Sequence, residues 1–301
     1  VAVVAAAVVA VVVNSPVTSL ARPLSKNGRT KLGIGWRPEL AYAIARRNDI
    51  DFVEVVADDF FSCKQLPAAL QDLQQRGIQI IPHCLSLSLG SAEQLKRGKI
   101  EALKRVAGLC RADVVSDHLC FVRAGGTESG HLLPVAYRNE DLEILIENIA
   151  GVKKILGVPL AVENIANLFV WPEKDYMETD FFAKVLERAD VQMLLDVSNL
   201  HANAYNHGFD PVAYLDRLPL ERLAYVHVAG GVIKAGLYHD THAHAVPSGA
   251  LSILQALSQR TFLPKVMLER DDLFPPDEDL YAQLDAIKMA LGMEVESHVG
   301  N

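Results

Sequence analysis

The sequence predicts an α/β protein folded as a single (β/α)8 TIM barrel. Three observations point there. Eight short apolar runs alternate with longer helical patterns along the chain. The alternation occupies residues 31–293 of 301, close to the ~250 residues that an eightfold barrel usually takes as one domain. Nearly every apolar run also ends on His, Asp or Glu. A doubly wound sheet alternates in the same way but does not usually need eight equivalent units.

The first strand is expected at Leu32–Gly35, followed by a helix over Pro38–Arg47 with proline near its start. Phe52–Val56 is the second strand, and the helix Ala68–Arg76 after it is closed by Gly77. Ile78–Ile81 leads into Pro82-His83, and Ser91, with Gln94 three residues on, fits the cap of an amphipathic run to Leu109. Val114–His118 is the fourth strand, and a long loop with Gly125 and Gly126 precedes the helix Glu140–Leu156. Leu160–Glu163 and Asp180–Arg188 form the fifth unit. Gln192–Asp196 is the sixth strand; a loop dense in Asn and His leads from it to a helix at Asp210–Arg217 with Pro211 at its first position. Leu223–His227, a long loop to Pro247 and the helix Gly249–Gln259 make the seventh unit. Val266–Glu269 and Asp277–Leu291 make the eighth.

Residues 1–13 contain only Val and Ala. The run is too short to span a bilayer and lacks the basic start of a signal peptide, so it reads as a tag or filler segment. The irregular lead-in continues to residue 30, and residues 294–301 are expected to be a tail. With 50% hydrophobic and 22% charged residues the rest has ample material for a core. The net charge of −8, with no basic run, gives no support for binding a nucleic-acid backbone. No stretch calls for a membrane. Cys63, Cys84, Cys110 and Cys120 show no CxxC pair or framework spacing, as expected of reduced thiols in a cytoplasmic protein.

The functional signal lies in the strand ends. The second strand contains Glu54, and the third to eighth run into His83, His118, Glu163, Asp196, His227 and Glu269; the seventh loop adds Asp240 and His242. In a barrel these ends converge on one face, where active sites are built. Taken singly, each has an ordinary explanation: Asp196 could cap a helix, Glu54 could pair with Arg37, and Glu269 with Arg270. Together they place carboxylates and imidazoles in one space without matching Lys or Arg, and metal cations are the natural compensation. His83, His118, Glu163, Asp196, His227, Asp240, His242 and Glu269 supply eight N/O donors, with Asn199 a ninth candidate. That set suits two or three ions, and imidazole with carboxylate fits iron, zinc or manganese. Glu54, Asn199 and His201 are the candidate catalytic residues around them. As ligands, His201, His207, His239 and His244 are less well placed, His244 being the nearest competitor to His242.

These residues resemble the multinuclear non-haem iron-dependent oxidative enzymes that modify ribosomally made peptides, a family that includes a methanobactin-biosynthesis enzyme. The resemblance runs from about Leu32 to Leu291 and rests on DFVEVVADDFF (Asp51–Phe61), HCLSLSLGS (His83–Ser91), SDHL (Ser116–Leu119), VENIANL (Val162–Leu168), LLDVSNLHANAYNHGFDP (Leu194–Pro211), VHVAG (Val226–Gly230), DTHAHAVP (Asp240–Pro247) and LERDD (Leu268–Asp272). It implies a barrel of the xylose isomerase/endonuclease IV-like type carrying two or three irons of mixed Fe(II)/Fe(III) state. It also implies O2 as cosubstrate, oxidation of a precursor peptide, commonly at cysteine, and a small partner protein that binds the leader. The eight donors above would be the iron ligands, with Asn199 at a third position; Asp58 stands where the family pattern has Glu. A competing resemblance is to endonuclease IV, a three-metal phosphodiesterase, but its imidazole three residues after the Asp is here Asn199. A sugar isomerase on a related barrel and a non-catalytic metal- or peptide-binding module are further alternatives.

Overall fold

The computed structural model of the chain describes residues 28–295. The Val/Ala run, most of the lead-in and the end of the tail lie outside the described residues. Eight parallel strands close into a barrel in chain order: Lys31–Gly35, Phe52–Val56, Gln79–His83, Val115–His118, Leu160–Glu163, Gln192–Asp196, Leu223–Val228 and Lys265–Leu268. The first pairs with both the second and the eighth, so no barrel edge is left open.

Side chains two residues apart on a strand face the same way, and this period builds the interior. Phe52, Ile81, Val114, Ala161, Leu194, Tyr225 and Met267 pack as one buried cluster. Two residues further along each strand stand Glu54, His83, Ser116, Glu163, Asp196, His227 and Glu269, with His118 one step above Ser116. Register sets neighbours side by side, His118 opposite Glu163 and Asp196 opposite His227. An apolar floor therefore carries a polar layer at one end of the barrel.

The alternate strand positions face the helices. Asn139–Leu156 buries Leu142, Leu145, Ile149, Val152 and Leu156, one helical face, against the barrel. Each such side chain contributes about 1.5–3 kcal/mol of burial. The helix stops at Gly157, whose φ of 81° a residue with a Cβ rarely adopts.

Three expectations about connections need correction. The helix after the third strand starts at Arg97 and not near Ser91. The Ser91 hydroxyl serves a turn instead, accepting from the Glu93 amide and donating to the Arg123 carbonyl. The long loops after the fourth and seventh strands hold β-hairpins, Phe121–Ala124 with Thr127–Leu133 and Gly231–Lys234 with Leu237–Asp240. Their turns, Gly125-Gly126 and Ala235-Gly236, place both central residues at positive φ, which matches strand twist. The Asn/His-rich stretch after Asp196 is a helix, Val197–His207, closed by Gly208. Its amides bind neighbouring backbone (Asn199 to Asn164, Asn203 to Ile165, Asn206 to Tyr238), and these tertiary bonds override weak helix propensity. No helix among the described residues is long and apolar enough to cross a membrane.

Candidate metal centre

At the strand ends the donors meet in linked groups. His83 Nε2 and His118 Nε2 lie 3.5 Å and 3.3 Å from Glu163 Oε2. The other Glu163 oxygen is 3.4 Å from His227 Nδ1, which also contacts Glu269 Oε2 at 2.9 Å. His242 Nε2 hydrogen-bonds Asp240 and lies 3.9 Å from Asp196 Oδ2. Five sets of donor atoms lie close enough to share an ion; besides Glu54–His227–Glu269 and His242–Glu269–Asp271, three form a linked row: His83–His118–Glu163, Glu163–Asp196–His227 and Asp196–Asp240–His242. Glu163 belongs to the first two sets of the row and Asp196 to the last two, so neighbouring ions would be bridged by carboxylates.

Buried polar atoms normally find partners, yet Glu163 Oε2, Asp196 Oδ2 and Asp240 Oδ1 are buried with no hydrogen bond, and His227 Nδ1 and Glu269 Oε2 have only ion-pair contacts with other donors of the cluster. All belong to residues of this cluster. Arg37 is the one arginine or lysine among the described residues in ion-pair reach of these acids; it stands 3.9 Å from Glu269 and pairs more closely with Asp271. One guanidinium cannot neutralise Glu54, Glu163, Asp196, Asp240 and Glu269. The residues present therefore fit divalent or trivalent cations, and their N/O chemistry suits a first-row transition metal.

Electrostatics agree with crowding. Burial pushes Glu163 up to about 8 and Asp196 up to about 7, the latter helped by Asp240. Burial also holds His118 down to about 3 and His83 well below its usual value, so both rings are neutral with a lone pair to give. For His227 and His242 burial opposes charge, but the surrounding carboxylates outweigh it and raise both. Those two imidazoles in turn hold Glu269 low against its burial. A cation would take over this balance and displace the protons.

The candidates divide as follows. The eight expected donors all converge. Asp196 is both things weighed for it: Oδ1 caps the following helix by accepting from the Ser198 and Asn199 amides, while Oδ2 faces the centre. Glu54 lies beneath and accepts from Tyr225 and His227, not from Arg37. Asn199 lines the cavity, its nitrogen committed to the Asn164 carbonyl. His201 is not brought in: its ring packs edge-on against Tyr238, and a Cβ on Gly249 would fall 2.3 Å from it. Helical spacing turns it away from the face that Asn199 presents. His244 bonds Thr241 and His207 bonds the Asn167 carbonyl. Arg270 binds the Leu273 carbonyl and does not pair with Glu269. Sequence reasoning missed Asp271, 3.0 Å from His242 Nδ1, and the buried Ser116 and Tyr225. The two-residue period from His118 and His227 was the available signal for the latter pair.

The centre opens into a cavity of about 810 Å³ walled by both hairpins, with Leu132 and His131 on one side, Tyr238 and His239 on the other, and Leu168 and Phe169 at its edge.

Comparison with solved structures places the fold among xylose isomerase-like barrels. A D-psicose 3-epimerase from Clostridium cellulolyticum H10 superposes with a TM-score of 0.59 over 87% of this chain and 99% of that one, at 14% identity. A xylose isomerase domain protein from Planctomyces limnophilus does so with 0.55 over 87% and 95%, at 11% identity. Relatives by sequence include a UPF0276 protein of Streptomyces avermitilis, 45% identical over 272 residues. That match takes in 88% of this chain but only 55% of the relative's length. A UPF0276 protein of Caulobacter vibrioides is 34% identical over 258 residues, 85% of this chain and 92% of that one. The model of the RiPP precursor modification enzymes MbnB/TglH/ChrH matches residues 31–292, nearly the whole barrel, and the chain belongs to that family.

Proposed function

We propose that this centre holds two or three iron ions of mixed Fe(II)/Fe(III) state and that the protein uses O2 to oxidise a ribosomally made precursor peptide at cysteine. The observation that carries the reading is the set of linked donor groups sharing Glu163 and Asp196, each with a buried oxygen that has no hydrogen bond. Bound iron would supply the electron transfer and Lewis acidity that no side chain here can provide. His83, His118, Glu163, Asp196, His227, Asp240, His242 and Glu269 would hold it, with Asn199 at the edge of the third set.

The protein's own part is positioning and exclusion of water. The hairpins wall the cavity, and Glu54 holds the His227 ring from below. Leu168, Phe169, Val170 and Trp171 are four consecutive exposed apolar side chains at or beside the rim. Such a patch suits a peptide chain better than a sugar, and a small leader-binding partner protein would present that peptide. The phosphodiesterase alternative is weaker, because Asn199 replaces the imidazole and the net charge of −8 disfavours DNA.

The test is anaerobic reconstitution with Fe(II), metal counting, and O2 uptake with a cysteine-bearing precursor peptide, followed by peptide mass. Substrate-dependent uptake with a mass change is expected. Stable iron loading with no uptake beyond the peptide-free rate would overturn the oxidative reading, and zinc-dependent nicking of abasic DNA would favour the alternative.

A further inference from the structure

A hydrogen-bond chain runs beneath the centre, from one ligand candidate to another on a distant strand. His83 Nδ1 lies 2.7 Å from Ser116 Oγ, which lies 2.6 Å from Tyr225 Oη. The tyrosine hydroxyl donates to Glu54 Oε2 at 2.7 Å, and His227 Nε2 meets the same oxygen at 2.9 Å. All five side chains are buried, so water does not compete for these bonds.

Counting protons fixes the direction of every link. Tyr225 has one hydroxyl proton, and it goes to the carboxylate. Ser116 must then donate to Tyr225, which uses its only proton. Ser116 can therefore only accept from His83, so Nδ1 of that ring carries hydrogen and Nε2 is bare. At the other end Glu54 accepts from His227, so Nε2 carries hydrogen there and Nδ1 is the nitrogen left to bind. The bare His83 Nε2 lies 3.5 Å from Glu163 Oε2, and His227 Nδ1 lies 3.4 Å from Oε1 of the same residue. The two rings thus offer opposite nitrogens to opposite oxygens of one bridging carboxylate.

We propose that Tyr225 is a positioning residue which, through Ser116 on one side and Glu54 on the other, sets the tautomers of His83 and His227 together and so couples the first two metal positions. The proposal rests on reading the centre as metal-binding. An isolated serine under His83 could donate or accept; Tyr225 removes that freedom. Partners behind a ligating imidazole commonly alter metal affinity by about 10–100-fold.

Zinc is the probe, because it is diamagnetic and takes the same donors. Full-length wild type, Tyr225→Phe and Ser116→Ala, stripped by chelator and reloaded with Zn(II), are compared by chelator competition and by two-bond 1H–15N correlation spectra of the imidazoles. Wild type should show His83 protonated at Nδ1 and His227 at Nε2. Tyr225→Phe should lower zinc affinity by about 10-fold or more and disturb the His83 signature together with the His227 one. Ser116→Ala should disturb His83 and spare His227; should Tyr225→Phe not fold, it still reads the first link. Wild type that takes up no tight zinc overturns the metal reading itself. Wild type that loads normally, while both variants keep its affinity within about twofold and its ring signatures, overturns the relay alone.

Discussion

The ring of Phe52 fills the space that Gly33 leaves inside the barrel: a Cβ at residue 33 would fall 2.4 Å from Cζ of that ring. The second strand can therefore put its largest side chain into the floor because its neighbour has none. Gly33→Ala should force Phe52 off its rotamer at a cost of about 1–3 kcal/mol, and the shift reaches Glu54 two residues on. Urea unfolding measures it; unchanged stability would mean that the floor is loose enough to repack.

Most of this architecture can be read from the chain because both of its periods are strong. Leu160–Glu163 and Gln192–Asp196 begin and end where the alternation of apolar runs places them, and the polar residue closing each run is the one that reaches the centre. The rest was hidden for identifiable reasons. Ala235 at positive φ is no turn signal, and Gly125-Gly126, though one, was read only as part of a long loop, so neither hairpin was expected. The helix after Asp196 is built of Asn and His, and only its bonds to Asn164, Ile165 and Tyr238 reveal why it winds. Tyr225 resembled any core aromatic until its hydroxyl was seen bonded to Glu54.

Shared carboxylates should matter more than terminal ones. Glu163 serves two donor sets and Asp240 one. Glu163→Gln keeps the shape but removes the charge that would bridge neighbouring ions. Metal analysis after Fe(II) loading should show Glu163→Gln losing more iron per chain than Asp240→Asn. Equal losses would mean that Glu163 does not bridge.

At the opposite side of the fold, Asp49 joins the first unit to the last helix, Asp277–Ala290. It accepts from Arg47 at 2.8 and 2.6 Å and from Lys288 at 3.0 Å. Burial alone would raise its pKa, but these cations outweigh it and hold the carboxylate well below its ordinary value. A depressed folded-state pKa adds stability that is present above the unfolded value, near ~4, and lost as pH falls through the folded one. Asp49→Asn should therefore cost about 1.5–3 kcal/mol near neutrality, and the gap from wild type should close steadily below about pH 4. A gap that stays constant down to pH 2.5 would show that the ion pairs contribute little.

Metal should also stabilise the barrel, because its donors come from six different strands and from the seventh connection, and unfolding scatters them. A ligand bound only by the folded chain adds about 4 kcal/mol when its free concentration is a thousand times Kd. At about 2–4 °C per kcal/mol for a domain of this size, chelation should lower the thermal midpoint by roughly 10 °C, and restoring metal should recover it. The residues that set the size of the loss are those with a buried oxygen that has no hydrogen bond, Glu163, Asp196 and Asp240. Replacing Asp196 with Asn tests this separately from chelation. Its cap to Ser198 and Asn199 survives in the amide oxygen, at a cost of about 1 kcal/mol or less, whereas the charge facing His242 is gone. The variant should thus unfold near the chelated wild type and respond weakly to added metal. A midpoint that still rises by the full wild-type increment would place the stabilising ion elsewhere in the protein.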